Sequence, residues 1–332
     1  MSRYAEAHVK PNGPGDARPT ALQIVKDEGA EGSLKGQVVV ITGTSSGIGI
    51  ETARALAATG ANLFLTARDI GKAQTALAGV IDPSCMEIVE MDQASLSSVR
   101  TAAATILAKT HKIHLLINNA GIMAIPDLQH TTDGHELQFG TNHLSHFLFY
   151  SLLEPALLAA ATPELPSRVV SLASSAHNVH GLLASTDYAF TETPYQPYVS
   201  YGQSKTANIY LANEIERRHA GRNLHATSVH PGIVATGLAQ HMPPDAFKGM
   251  EALYPTMKSV EQGAATSVWA AVGKEWSHKG GKYLVDCAVA KPYMDGEDKV
   301  TTLGYAPWAY DVDEAKRLWK DSLVLVGLPA EE

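Results

Sequence analysis

The chain has 332 residues, 45% hydrophobic and 18% charged, a composition typical of globular proteins and unlike that of disordered or fibrous ones. Acidic residues outnumber basic ones by 34 to 26, and the net charge of −8 gives the chain no overall attraction to nucleic acid or anionic lipid. Two cysteines imply no disulfide framework and favour a reducing, cytoplasmic location. We expect no secretory signal and no transmembrane segment, and length alone suggests about two domains.

The chain opens with an arm, residues 1–35, whose prolines, glycines and charges predict irregular structure with a short helix near 21–28. After it, apolar and β-branched runs predict about seven strands. These strands are predicted over 37–42, 62–66, 86–91, 114–118, 168–173, 224–230 and 281–285. Segments with helical spacing are predicted over 47–60, 69–79, 95–109, 133–161, 198–218 and 260–272.

The alternation of strands and helices predicts an α/β fold with a parallel sheet covered on both faces. Right-handed crossovers then make the sheet doubly wound and Rossmann-like. Ligands of such sheets bind beyond the carboxyl ends of the strands. The residues that follow each strand are therefore the candidates for function.

A glycine-rich turn, residues 42–49, follows the first strand and opens a helix. Glycines let the backbone approach a pyrophosphate closely, and the helix N-terminus presents free N–H groups to it. The predicted dinucleotide-binding residues of this turn are Gly43, Ser45, Ser46, Gly47, Ile48 and Gly49. Two alternatives remain open: a purely structural turn, or a hydrolase nucleophile elbow of the form G-x-S-x-G with Ser45 as nucleophile.

Charged residues follow the second and third strands. A free ribose 2′-hydroxyl favours an acidic residue after the second strand, whereas a 2′-phosphate favours an arginine. Ala67 is neutral and Arg68 is cationic, which favours the phosphate, with a solvated surface charge as the alternative. We expect Asp69 to cap the next helix. Asp92, after the third strand, is predicted either to accept a hydrogen bond from adenine or to cap a helix.

Two amides follow the fourth strand in the sequence Asn118-Asn-Ala-Gly121. The backbone of Asn119, Ala120 and Gly121 is predicted to wrap a ribose. Asn142 lies further along, inside the predicted helix 133–161. Because asparagine is unfavourable within a helix, its presence there indicates a local polar role.

Tyr201 and Lys205 are four residues apart on the predicted helix 198–218 and therefore share a face. A phenol with a pKa of about 10 is a poor base at neutral pH, but a nearby ammonium favours the phenolate. Lowering the pKa of Tyr201 by about three units, equivalent to about 4 kcal/mol, would bring it toward the range useful for general acid–base catalysis. Taken alone, a chance Y-x-x-x-K spacing is the more frequent explanation of this pair. Tyr198 is a rival, but the residue four positions after it is Gly202.

Ser174 and Ser175 follow the fifth strand, and Pro231-Gly follows the sixth. The Pro-Gly pair turns the chain back over the strand ends, so that Thr236 is expected to reach the carboxamide of a nicotinamide. The predicted cofactor contacts of this last segment are Pro231, Gly232, Ile233 and Thr236.

The motifs T-G-x-x-x-G-x-G, N-N-A-G, S, Y-x-x-x-K and P-G-x-x-x-T occur in order, and together they resemble the short-chain dehydrogenase/reductase family across about residues 36–290. The phrases around Ser174 and Tyr201 are most similar to its retinol-dehydrogenase-like branch, which includes fungal and plant reductases. The resemblance implies that Tyr201 is the acid/base and that Lys205 binds the ribose and lowers its pKa. It also implies that Ser174 hydrogen-bonds the substrate oxygen and that Asn142 holds a water leading to Lys205.

The implied activity is hydride transfer between NADP(H) and a hydrophobic ketone or alcohol, as in a ketoreductase of a lipid-like or secondary-metabolite substrate. Arg68, with no acidic residue before it, resembles the NADP-using members. Three alternatives remain: a non-redox step such as dehydration or cyclisation, a non-catalytic NADP-binding regulator and, more remotely, the serine hydrolase. We expect a monomer or homodimer.

A segment rich in methionine, proline and aromatic residues, 237–259, is predicted to cover an apolar substrate, with ordinary helix packing as the alternative. The predicted substrate contacts are Ser175, His177, Tyr195, Tyr198, Met242, Phe247 and Tyr254.

Residues 291–332 are predicted to be a C-terminal extension with a docked helix. Its docking face is predicted to comprise Val312, Ala315, Leu318 and Trp319. Four histidines also cluster between positions 130 and 146, but His135-Glu136 does not complete H-E-x-x-H because residue 139 is Phe. We expect no metal site.

Overall fold

A central sheet of eight strands crosses the part of the chain that a computed structural model describes, residues 2–183, 187–242, 250–294, 296–299 and 301–331. The strands are β1 Val38–Thr42, β2 Asn62–Ala67, β3 Met86–Glu90, β4 Leu115–Asn118, β5 Ser167–Leu172, β6 Leu224–His230, β7 Tyr283–Val285 and β8 Ala288–Val289. Their order is β3-β2-β1-β4-β5-β6-β7-β8, and only the β7–β8 pair is antiparallel. The order reverses between β1 and β4, which confirms the doubly wound sheet.

Helices cover both faces of this sheet. In the described residues they are α1 Ala21–Asp27, α2 Ile48–Ala57, α3 Ile70–Ala76, α4 Leu96–Leu107, α5 Leu137–Phe139, α6 Ser145–Ala160, α7 Pro197–His219, α8 Val260–Gly263, α9 Ala265–Val272 and α10 Val312–Leu325. Successive strand side chains point to opposite faces, so Val40 of β1 packs in the core with α4, α6 and α7, whereas Ile41 packs with α1, α2 and α9.

The antiparallel strand β8 is the element of the sheet that sequence patterns did not predict. It has two residues, Ala288 and Val289, and pairs with the edge strand β7. A run this short carries no alternation of apolar and polar residues, so the expected seven strands become eight.

The predicted helix over 133–161 is wrong in its first part. Gly134 has a φ of 86°, outside the helical region, and the Glu136 carboxylate accepts hydrogen bonds from the backbone N–H groups of Gln138 and Phe139. This cap starts α5 only at residue 137. A π-helical turn, Gly140–Leu144, then joins α5 to α6 and contains Asn142.

Both terminal regions pack on the body. Ile24 and Val25 of α1 are fully buried in the core shared with α9. Trp319 of α10 packs edge-on against Phe147 of α6, with ring centroids 5.0 Å apart. Val312, predicted to share this docking face, is instead 48% exposed, because it occupies the first position of α10, next to its cap Asp311.

Candidate active site

The turn between β1 and α2 is built from glycines that leave no room for a side chain. A Cβ on Gly43, which has a φ of 73°, would lie 2.8 Å from the Cα of Ala120. A Cβ on Gly49 would lie 2.1 Å from the carbonyl oxygen of Gly43. This bare backbone at the start of a helix is the form of cradle that fits the pyrophosphate of a dinucleotide.

The end of β4 is fastened to this turn by hydrogen bonds. The Nδ2 of Asn119 donates to the carbonyl oxygens of Thr42 and Gly43 at 2.8 and 3.1 Å. The Oγ1 of Thr42 accepts from the N–H groups of Asn119 and Ala120 at 2.9 and 3.0 Å. The two strand ends on either side of the topological switch therefore form one rigid unit.

His146 of α6 completes this unit, and sequence reasoning missed it. Because the Thr42 hydroxyl already accepts two hydrogen bonds, it donates its own proton to Nε2 of His146, 2.9 Å away. Nδ1 of His146 then carries the ring proton and donates to the carbonyl oxygen of Asn142 at 2.9 Å. Burial lowers the pKa of His146 to about 4, which keeps the ring neutral.

The cavity beside β2 has two cations. Arg68 lines it, as predicted from the sequence, and so does Lys72 of α3, which sequence reasoning missed. Lys72 is the third residue of α3, the helix that follows β2. Its place in the first turn after that strand is the signal that could have identified it. Asp69 caps α3, as expected, by accepting from the N–H of Lys72 at 2.9 Å.

Asp92 lines the same cavity, and it does not cap a helix. Its Oδ1 accepts from the N–H of Ala94 at 3.0 Å, while Ser95 is the cap of α4. Of the two roles left open by the sequence, the helix cap is therefore excluded.

Tyr201 and Lys205 lie on α7 and line the cavity together with Ser174 from the loop after β5. The Tyr201 hydroxyl is hydrogen-bonded to Ser174, and the ring is 4% exposed. Nζ of Lys205 donates to the carbonyl oxygen of Leu172 at 3.1 Å and lies 5.5 Å from the centroid of the Tyr201 ring.

The expected lowering of the Tyr201 pKa is wrong for this structure. Burial raises the pKa of Tyr201 to about 12, and the hydrogen bond with Ser174 only partly opposes this. Burial also lowers the pKa of Lys205 to about 8. Desolvation is thus the largest influence on both groups, and the Tyr201 phenol is protonated at neutral pH.

Asn142 lies near Gly121 and Lys205, and it does not line the cavity. Its Oδ1 accepts from the N–H of Ile122 at 2.9 Å, and its Nδ2 donates to the Ile122 carbonyl and to Oγ of Ser204. A Cβ on Gly121 would lie 3.1 Å from this Oδ1 and 3.4 Å from Nζ of Lys205. Asn142 therefore stands close behind Lys205 with both amide hydrogens occupied.

His177 and Tyr195, predicted as substrate contacts, do not line the cavity. His177 is fully buried: its Nε2 accepts from the N–H of Ala306 at 3.1 Å, so its Nδ1 donates to the Ser174 carbonyl at 2.7 Å. The Tyr195 hydroxyl donates to the Ile125 carbonyl at 2.9 Å. Both side chains therefore hold loops of the site in place through hydrogen bonds and do not face the cavity.

The remaining predicted residues surround one cavity of about 1180 Å³. Ser175, Tyr198, Met242 and Tyr254 line it, whereas Phe247 lies outside the described residues. The predicted cofactor residues that line it are Gly43, Ser45, Ser46, Gly47, Ile48, Gly49, Asn119, Ala120, Gly121, Pro231, Gly232, Ile233 and Thr236. Leu238, Leu253 and Met257 of the predicted covering segment also line it, and apolar side chains that the sequence did not single out add Ile122, Met123, Ile125, Leu137 and Val179.

The clustered histidines have other partners. Nε2 of His143 is hydrogen-bonded to Oγ of Ser322 on α10 at 2.9 Å, and His146 belongs to the Thr42 unit. Within the described ranges, no group of three His, Cys, Asp or Glu side chains is placed to hold a metal ion. Also within those ranges, no helix has the length and apolar character needed to span a membrane.

A doubly wound sheet with a glycine cradle, a Tyr-x-x-x-Lys helix and a serine at the end of β5 defines a dinucleotide-dependent oxidoreductase class. A family model described as short chain dehydrogenase matches residues 37–246. The chain belongs to the short-chain dehydrogenase/reductase family, which acts on CH–OH and C=O groups with NAD(P)(H).

Individual relatives place the chain within the family. It is 46% identical to the short-chain dehydrogenase/reductase prx1 of Penicillium roqueforti over 98% of this chain and 95% of that protein. It is 35% identical to human retinol dehydrogenase 13 over 91% and 88% of the two chains. A crystal structure of an uncharacterised protein from Mycobacterium paratuberculosis is 31% identical with a TM-score of 0.70, covering 95% of this chain and 100% of that one. These matches confirm the resemblance to the retinol-dehydrogenase-like branch.

Proposed function

We propose that this protein is an NADP(H)-dependent oxidoreductase that transfers a hydride between nicotinamide and a hydrophobic ketone or alcohol. One observation carries the proposal: the Tyr201 hydroxyl, hydrogen-bonded to Ser174, lines the same cavity as the glycine cradle. A proton donor thus lies in the space that receives the dinucleotide. Residues 36–290 form the catalytic unit in this proposal, with the arm and the C-terminal extension packed on it.

The chain's own residues hold the carbonyl group and move the proton; the reduced cofactor, when bound, supplies the hydride. The buried, protonated phenol of Tyr201 donates its proton to the carbonyl oxygen of the substrate. The Ser174 hydroxyl accepts from the N–H of Ala176 at 3.2 Å, and its O–H faces Tyr201. When a substrate carbonyl lies between the two residues, this O–H donates to the carbonyl oxygen as negative charge develops there. Lys205, mostly cationic at neutral pH, stabilises the phenolate that remains.

The preference for NADP rests on the cations beside β2. Arg68 directly follows the neutral Ala67, and Lys72 lies on the next helix. Both line the cavity at the end of β2, where a ribose 2′-phosphate would bind. The nearby Asp69 carboxylate is occupied as the cap of α3, where it accepts from the N–H of Lys72. Two cations therefore favour the additional phosphate of NADP.

The substrate class follows from the lining and the size of the cavity. Its volume of about 1180 Å³ exceeds the roughly 300–1,000 Å³ of ordinary ligand pockets, which leaves space for a substrate beside the cofactor. Met123, Ile125 and Met257 are among its apolar lining residues. The human relative is named for retinol, an apolar alcohol. We therefore propose that the substrate is a lipid-like or secondary-metabolite ketone. We also propose a cytoplasmic location, where Cys85 and Cys287 remain thiols.

The test is NADPH oxidation against a panel of apolar ketones, with Tyr201→Phe and Tyr198→Phe as a matched pair. Both tyrosines line the cavity, but only Tyr201 has a lysine four residues later. Tyr201→Phe should lower kcat at least about 100-fold, whereas Tyr198→Phe should retain most of it. Full activity of Tyr201→Phe would refute the proton-transfer role. Ketone conversion without NADPH oxidation would favour the non-redox alternative.

A further inference from the structure

The N-terminal arm, described from residue 2 to residue 35, contacts a wall of the cavity that lies within the segment predicted to cover the substrate. This wall segment, residues 251–257, belongs mostly to the 3-10 helix Met250–Thr256. Its side chains that line the cavity are Glu251, Leu253, Tyr254 and Met257. The arm and the wall segment are far apart in sequence, so their contacts are tertiary features that the sequence patterns did not reveal.

Arg18 of the arm is buried against the backbone of the wall segment, with a side chain that is 3% exposed. Its guanidinium donates to the carbonyl oxygens of Thr256 at 2.9 Å and Met257 at 2.5 Å. It also donates to the arm's own Gly13 carbonyl at 3.1 Å and to the Asp16 carboxylate at 2.8 Å. This cationic side chain therefore joins the arm to the end of the wall segment, next to a backbone hydrogen bond from the N–H of Gly13 to the Pro255 carbonyl at 2.9 Å.

The last carbonyl groups of a helix have no partner within the helix and carry partial negative charge. Arg18, whose own side chain is buried, supplies both hydrogen bonds and positive charge to these partly buried groups. An uncharged side chain there would leave the carbonyls of Thr256 and Met257 without this donor. They would regain hydrogen bonds only by moving toward water, which displaces the side chains that line the cavity.

The arm itself does not depend on Arg18 for its position. Ile24 and Val25 of α1 anchor it in the core. The turn at Asp16 keeps hydrogen bonds from the N–H of Asn12 at 2.7 Å and from Nε2 of Gln262 at 3.0 Å. Loss of the Arg18 guanidinium therefore affects the wall segment rather than the docking of the arm.

The cofactor loop, residues 231–236 after β6, is held separately, by Lys258, the residue that follows the wall segment. The N–H of Lys258 donates to the Ile233 carbonyl at 2.8 Å, and its buried Nζ contacts the Asp286 carboxylate at 2.5 Å. Its stem lies so close to Gly232 that a Cβ there would be 2.9 Å from it. Displacement of residues 251–257 would thus alter the part of the cavity that these residues line and leave the cofactor loop in place.

We propose that Arg18 is a positioning residue for the substrate. By holding the carbonyl groups of Thr256 and Met257, it keeps the wall segment against the cavity and so determines the affinity for the apolar substrate without touching it. The inference rests on the proposed reductase function for the identity of that substrate.

The matched variants are Arg18→Met and Arg3→Met, because Arg3 is an arginine of the same arm that is 57% exposed. Arg18→Met should raise KM for the ketone about tenfold, equivalent to about 1.4 kcal/mol, with kcat and NADPH affinity changed less than about twofold. Arg3→Met should match the wild type. Arg18→Lys, which keeps the charge with a different geometry, should fall between them. A merely structural role would reduce the active fraction and leave KM unchanged, and that result would overturn the proposal.

Amide hydrogen exchange, read by mass spectrometry without cofactor or substrate, gives a second readout. Peptides that cover 251–258 should exchange about tenfold faster in Arg18→Met than in the wild type or Arg3→Met. Equal exchange would overturn the proposal. If the wild type reduces no ketone, the proposed function fails, but the exchange measurement still decides whether Arg18 holds the wall segment. If Arg18→Met does not fold, Arg18→Lys provides both readouts.

Discussion

The ring of His146 holds the main-chain carbonyl of Asn142 through Nδ1 at 2.9 Å, and through Nε2 it receives the hydroxyl proton of Thr42. One neutral imidazole thus joins the π-helical turn to the strand that begins the glycine cradle. The side chain of Asn142 in turn fixes Ile122 and lies close behind Lys205. The geometry around Lys205 is therefore coupled to that of the glycine cradle.

We predict that His146→Leu lowers both stability and turnover. The substitution leaves the Thr42 hydroxyl and the Asn142 carbonyl without this partner in a buried region, which should reduce the free energy of unfolding by about 3 kcal/mol. It should also reduce kcat per folded molecule, because Asn142 loses its anchor. Urea unfolding and kcat, normalised to folded protein, measure the two effects.

His143→Leu is the control, since His143 is equally buried and is hydrogen-bonded to Ser322 rather than to the cradle. It should reduce stability but leave kcat per folded molecule within about twofold. Equal effects of the two substitutions on kcat would contradict the coupling.

We predict that Gly49→Ala abolishes cofactor binding in a folded protein. The new Cβ would lie 2.1 Å from the Gly43 carbonyl oxygen and 2.7 Å from Nδ2 of Asn119, so the cradle must deform. NADPH affinity, measured by titration calorimetry, should fall at least about 100-fold, which corresponds to about 2.7 kcal/mol.

Gly71→Ala is the matched control for this substitution. Gly71 lies in α3, and the nearest atom to its added Cβ is Oδ1 of Asp69 at 3.5 Å, an ordinary contact. The substitution should leave NADPH affinity unchanged and stabilise the helix by about 0.5–1 kcal/mol. A comparable loss of affinity in both variants would refute the cradle argument.

The sequence predicted the fold and the residues of the site where the signal was local. Strand and helix periods gave the doubly wound sheet, and the four-residue spacing of Tyr201 and Lys205 placed both on one helix face. Properties that depend on distant chain segments were not predictable. The pKa of Tyr201 depends on burial by the whole fold, and His177 is placed by Ala306, far along the chain.

A local polar or aromatic residue in an irregular stretch looks the same in sequence whether it contacts a substrate or braces a loop. Tyr195 was predicted to contact the substrate, but it supports a loop by donating to the carbonyl of Ile125. That partner lies 70 residues earlier, so no local pattern indicated the contact. Arg18 is the converse case. Its partners near position 256 give the arm no local pattern, so nothing in the sequence distinguished it from a surface arginine.

We predict that Lys205 makes stability increase with pH above neutrality. Burial lowers its pKa from 10.5 to about 8, so between these values the unfolded chain binds a proton that the folded chain has released. The free energy of unfolding contributed by this group should therefore rise by about 2 kcal/mol from pH 8 to pH 10. Urea unfolding gives the free energy of unfolding of the wild type and of Lys205→Met at pH 8 and pH 10. The difference between the two proteins should be about 2 kcal/mol larger in favour of the wild type at pH 10 than at pH 8.

Lys72→Met, at an exposed position that also lines the cavity, is the control for loss of a lysine from this site. Its effect on stability is subtracted from that of Lys205→Met at each pH value. A corrected difference that is the same at pH 8 and pH 10 would show that Lys205 is not desolvated in the folded chain.

We predict that Arg68 and Lys72 together determine the preference for NADPH over NADH. Arg68→Gln and Lys72→Gln should each weaken NADPH binding about tenfold, because each removes one charge-assisted hydrogen bond to the 2′-phosphate, while NADH affinity stays within about twofold. The double substitution should bring the two cofactors close to equal affinity. Arg54→Gln on α2, whose arginine is 50% exposed and pairs with Glu51, serves as the control and should change neither affinity. Equal losses for NADPH and NADH would show that the two cations bind the shared pyrophosphate instead.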